Sequence, residues 1–255
     1  MQWKKFFVAL LVIASLCVGY QNAFPHEYKI HLMDYVLYLF RGEVAASLNV
    51  DVPYVLPTIS IIEWILISFI VGNFATRELL IQGENTLLRA KSRIFWWNQK
   101  CIWNIWMNII YSVMIYVVIG MISVYRTKDI VIGFNWLYHQ DLFLNEPDKK
   151  VATAAAIFLP IIASIAMTQM QMTISLFLGS QGSFIIMLSY FVCSAYIRNP
   201  WLIGNAFMLI RIQPFSEKGI PLFEMVLFSI GYWICAVAVG QIVFERYDVI
   251  RKIRE

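Results

Sequence analysis

The chain has 255 residues, 60% of them hydrophobic and 14% charged, with a net charge of +4. A single soluble core cannot bury so much apolar surface, so an all-α, polytopic membrane protein is expected. The bases sit mainly beside apolar runs, where they set orientation in the bilayer, and no nucleic-acid role follows from them.

Lys4 and Lys5 precede FFVALLVIASLCVGY, the first expected span at about residues 6–20. A signal peptide begins in the same way, but QNAFPHEYKI offers a poor small-residue cleavage site, so the span is read as retained. Residues 21–56 mix charges with aromatics, and YKIHLMDYVLYLFRG has apolar positions at helical spacing, which predicts an amphipathic helix at the outer interface. HEYKIH is not a zinc motif, because His26 and His31 are too far apart to share a helical face. The second span is expected at 57–75 and contains Glu63 about 9 Å below its start. A carboxyl at that depth snorkels, pairs with a loop base, or serves a substrate path.

Residues 77–100 form a polar segment in which Arg77, Arg89, Lys91, Arg93 and Lys100 outnumber Glu78 and Glu84. Short basic loops stay on the cytoplasmic side. Within it GENTLLRAKSRIF reads as a helix: Asn85 or Thr86 caps its start, Glu84 suits the positive end, and Arg89, Lys91 and Arg93 lie toward the other. Leu87, Leu88 and Ile94 offer it an apolar contact. The third span follows at 101–124, with Trp96, Trp97, Trp103 and Trp106 as an aromatic belt at its start. Asn104 and Asn108 share one face and suit hydrogen bonds between helices.

After a polar outer loop comes a fourth span at about 152–177, kinked at Pro160 and made polar by Gln169, Gln171 and Thr173. GSQGS, residues 179–183, predicts a tight turn into a fifth span at 184–197. The stretch before the last span is broken by Pro200, Gly204, Pro214, Gly219 and Pro221, as in re-entrant or interfacial helices. The sixth span, 222–244, ends in ERYDVIRKIRE, whose bases place the C-terminus inside with the N-terminus. The whole chain is thus expected to be a single transmembrane domain. Cys17, Cys101, Cys193 and Cys235 show no metal-like spacing and are read as buried packing thiols.

Six spans, a base-rich segment with Arg89, Lys91, Ser92, Arg93, Trp96 and Trp97, and the broken stretch from Pro200 to Arg211 resemble the permease subunit of an ABC-type-2 exporter. Among those, the likeness is to bacterial drug or antimicrobial-peptide export and immunity permeases. The amphipathic elbow helix common at the start of that family has no counterpart in Met1 to Lys5. The resemblance implies a bacterial cytoplasmic-membrane protein whose coupling helix, between spans two and three, seats in a cytosolic ATPase. It assigns that contact to Glu84, Asn85, Leu88, Arg89, Lys91, Ser92, Arg93, Trp96 and Trp97. The partners it implies are two copies of the ATPase and a second permease chain, identical or similar. The chain has no GxxxxGK[ST] loop, so it is expected to bind no cofactor itself, with ATP and Mg on the ATPase. Glu63, Asn104, Asn108, Gln169 and Gln171 are the candidates for a substrate path or for interhelical polar contacts. Two other classes stay open: a membrane sensor or immunity protein that binds without transporting, and a polytopic enzyme using Glu63, His26, His31, His139 and Asp34.

Overall fold

The computed structural model describes residues 2–25, 29–44, 54–72, 74, 78, 92–128, 131–135 and 146–245. In chain order its elements are α1 (Gln2–Asn22), α2 (Leu32–Phe40) and α3 (Thr58–Ile67), which runs on into a π-helical turn, Ser68–Gly72. Then come α4 (Arg93–Thr127), α5 (Glu146–Tyr196), two 3₁₀ turns (Ile203–Phe207 and Leu209–Arg211) and α6 (Leu222–Glu245). Among the described residues the only β-type pairing is an isolated bridge from Ile212 to Ile220. Four helices, α1, α4, α5 and α6, are long and apolar enough to cross a membrane; α3 with its π turn is apolar but shorter.

Local chemistry sets several boundaries. The hydroxyl of Ser92 accepts from the Phe95 backbone N–H at 3.1 Å and so begins α4 earlier than the expected 101. Lys128, in the left-handed region at φ 58°, closes that helix with its N–H on the Val124 carbonyl. Ser92 to Lys100, expected as part of a cytoplasmic loop segment, therefore belong to the start of α4 and its cap.

Gly179 lies outside helical geometry at φ 71°, ψ −179° and divides α5 into two limbs. Contacts along α3 show how the limbs lie. The Tyr54 hydroxyl donates to the Ala195 carbonyl, Trp64 stacks on Phe191 at 5.6 Å, and Phe69 meets Phe184 at 4.9 Å. On the first limb, Glu63 shares a cavity with Pro160 and Ser164, and Ser68 donates to Gln171 at 2.5 Å. Moving along α3 descends the second limb and ascends the first, so α5 is a helical hairpin turning at one glycine.

The same kind of pairing orders the other helices. Phe6 faces Tyr111 and Gln21 accepts from Arg126, so α1 runs parallel to α4. Asn104 meets Gln169 while Tyr116 donates to Ile157, so the first limb of α5 runs against α4. Arg93 reaches the Glu245 carbonyl and Gln241 donates to Asn98, so α6 also runs against α4. One end of the bundle gathers the starts of α1 and α4, the π turn, the Gly179 turn and the end of α6.

The opposite end is plugged by α2. Met33, Asp34, Tyr35, Val36, Leu37, Leu39 and Phe40 are all buried, so this helix is sunk among α1, α3, α4 and α5. That corrects the interfacial expectation. LMDYVLYLF has one charge, Asp34, and its carboxylate accepts from the backbone N–H groups of His31 (2.8 Å) and Asn135 (2.9 Å). With that charge satisfied locally, every face of α2 is free to pack against apolar neighbours. The broken stretch after α5 forms buried 3₁₀ turns that close the same end.

Candidate functional site

Of the residues assigned to ATPase contact, Glu84, Asn85, Leu88, Arg89 and Lys91 lie outside the described residues. The remainder form a clasp between the start of α4 and the end of α6. Trp97 is fully buried, donates its indole N–H to the Val237 carbonyl at 3.2 Å, and lies against Gly240. A Cβ on Gly240 would stand 2.0 Å from the Trp97 ring, so only glycine admits that approach. Trp96 stacks on Phe244 with centroids 4.8 Å apart. Lys100 pairs with Glu78 at 2.7 Å and lies over the Trp96 ring. The four tryptophans expected as a belt thus divide: Trp96 and Trp97 are interior, whereas Trp106 is exposed.

Deeper in the bundle a polar seam joins α3, α4 and the first limb of α5. Asn104 donates to Gln169 at 3.1 Å and to the Ile165 carbonyl at 3.2 Å; Asn108 donates to Thr168 at 3.0 Å. Gln169 in turn donates to the Cys101 sulfur. Gln171 lies across from Gly72, where a Cβ would come within 2.2 Å of its Oε1, and takes the Ser68 hydrogen bond. Amides that satisfy one another in this way hold helices in register where lipid supplies no hydrophobic driving force. Glu63 does not snorkel, and among the described residues it meets no loop base. It is 1% exposed, and the Tyr111 hydroxyl donates to its Oε2 at 3.3 Å. Their shared cavity measures about 20 Å³ and is lined also by Phe40, Ser112, Tyr116, Pro160 and Ser164.

Two participants escape a reading of composition alone. Tyr111 continues the Asn104–Asn108 face and was detectable from that spacing. Arg211 is buried at 2% exposure. Its Nε donates to the Glu43 carbonyl (2.6 Å), Nη1 to Ser194 (2.8 Å) and the Asn205 side chain (2.8 Å), and Nη2 to Ala195 (2.6 Å). Burial draws its pKa down from the usual guanidinium value, opposed by a hydrogen bond with Tyr54. This one side chain ties the end of α5 to the loop after α2 and to the 3₁₀ turns. Its signal in the sequence was a charge within PWLIGNAFMLIR.

Cys17 and Cys101 are buried, but Cys193 and Cys235 face outward, which corrects the reading of all four as interior. Among the described residues no group of three His, Cys, Asp or Glu side chains stands close enough to hold a metal ion. Among the described residues the seam offers hydrogen-bonded helix contacts and the buried carboxyl of Glu63.

No curated protein and no solved structure matches the chain. A family model described as protein of unknown function, DUF2705, matches residues 7–250. Because that match takes in the α4–α6 clasp, the polar seam and both ends of the bundle, the chain belongs to the DUF2705 family.

Proposed function

We propose that this chain is the permease subunit of an ATP-driven exporter of the ABC-2 type in a bacterial cytoplasmic membrane. In this reading the chain crosses six times, through α1, α3 with its π turn, α4, the two limbs of α5, and α6, with both termini inside. The observation that carries it is the clasp of Trp96, Trp97 and Arg93 on the end of α6. Residues 77–91 lead directly into that clasp, so a force applied to the basic segment moves the ends of α4 and α6 together.

ATP and Mg bind to the two cytosolic ATPase partners, and their closure acts on Arg89 and Lys91. Linkage then requires the ATPase to bind one state of the helices more tightly than the other. The Glu63 cavity, at about 20 Å³, is far below the ~300–1,000 Å³ of a drug-sized pocket. The Glu63 cavity thus does not hold cargo; in this reading cargo passes between this chain and a second permease chain, and a hydrophobic or amphipathic compound such as an antimicrobial peptide or drug suits that route.

The test is purification of the tagged chain from its own membranes, followed by an assay for ATP hydrolysis. The wild type should carry a stoichiometric ATPase, and Arg89→Glu with Lys91→Glu should remove it while membrane insertion is unchanged. A chain that purifies alone, or a double variant that keeps its ATPase, would overturn the assignment.

A further inference from the structure

Glu63 is the buried charge-bearing group least accounted for by its surroundings. Tyr111 donates to Oε2, but Oε1 has no hydrogen-bond partner among the described residues and belongs to a side chain lining the cavity. Among the described residues the titratable groups facing it are Cys17 from α1 and Tyr111 and Tyr116 from α4. The first limb of α5 contributes Pro160 and Ser164, while α2 and the first 3₁₀ turn contribute Phe40 and Phe207. None of these is a cation. A carboxylate enclosed by phenols, hydroxyls and apolar rings has only the 3.3 Å Tyr111 hydrogen bond to offset the loss of water, whereas a neutral carboxylic acid loses far less on burial.

The cavity also lies where the helices yield most easily. Pro160 removes a backbone hydrogen bond from the first limb of α5, and the π turn Ser68–Gly72 begins one turn after Glu63. A volume of about 20 Å³ admits one water-sized species. Slight widening at either point would connect Oε1 to solvent without unwinding a regular helix.

We propose that Glu63 is a proton-binding site: the cavity closes around the neutral carboxylic acid and opens to water when the proton leaves. The Oε1–H bond breaks, the proton passes to an entering water and on to buffer, and the carboxylate remains hydrated in the open state. Closure requires the reverse transfer. The site belongs to this chain alone and does not rest on an ATPase partner.

The experiment is an infrared and amide-exchange titration of the full chain reconstituted in phosphatidylcholine bilayers. The wild type at neutral pH should show a protonated-carboxyl C=O band that disappears in Glu63→Gln and moves in frequency in Tyr111→Phe. After correction for intrinsic exchange, amides around Pro160 and residues 68–72 should exchange faster in the wild type as pH rises and stay constant in Glu63→Gln. Should the glutamine variant not fold, the shift in Tyr111→Phe still assigns the band. Absence of the band at neutral pH, its persistence in Glu63→Gln, or equal rises in exchange in both proteins would overturn the proposal. Loss of the band on adding sodium or potassium at constant pH would also overturn it, by making the cavity a metal-cation site.

Discussion

Arg211 stands where an apolar side chain would be expected, and its four hydrogen bonds explain why it is tolerated. Each acceptor it serves is the end of a segment: the carbonyls of Ser194 and Ala195 close α5, Glu43 follows α2, and Asn205 belongs to a 3₁₀ turn. Arg211→Met fills similar volume but strands several buried acceptors, and should cost about 3–5 kcal/mol, read as a lower melting temperature in detergent. The polar residues of the seam were legible in the sequence because Glu63, Asn104, Asn108, Gln169 and Gln171 interrupt long apolar runs. What polarity does not encode is pairing. Asn104 finding Gln169, or Glu63 finding Tyr111, depends on which helices neighbour one another, and no periodicity in a single helix fixes that.

At the scale of elements, glycine decides two features of the bundle. Gly179 takes a backbone conformation that side chains resist and lets a 51-residue helix double back. Gly240 lets the Trp97 ring approach α6 closely enough for its indole to reach Val237. Gly240→Ala should destabilise the clasp by about 1–3 kcal/mol through overpacking. Tryptophan fluorescence of this variant should report the loosened ring, while Gly231→Ala, with nothing near its Cβ, should leave the spectrum unchanged. The turn at 179 was legible from GSQGS, and the apolar runs pointed to the long helices, but the start of α4 at Arg93 was not, because its first two turns carry the bases and polar residues of a loop. The fate of α2 was not. Its flanking charges suggested a helix floating at an interface, but those charges lie outside Leu32–Phe40, and only the tertiary structure reveals that Asp34 is consumed in tying α2 to residues 131–135.

For the molecule as a whole, the contacts establish an alternating arrangement of helices, whereas the charges suggest which end faces the cytoplasm. The proposed orientation places residues 77–91 inside and the plugged end outside. Single cysteines replacing Lys91 and Lys29, probed with a membrane-impermeant reagent in intact cells and in inverted vesicles, should label from opposite sides. Labelling of Lys91→Cys from outside would reverse the orientation and remove the basis for ATPase contact. The all-α fold class was accessible from hydropathy because long apolar helices leave a coarse, one-dimensional trace. The plug and the clasp are three-dimensional closures, and composition carries no such trace of them. Cys193 and Cys235, both outward-facing, occupy the second limb of α5 and α6. Native thiols on these two helices give spectroscopists a built-in molecular ruler: spin labels there would follow any change in their separation between conditions with no engineered substitution.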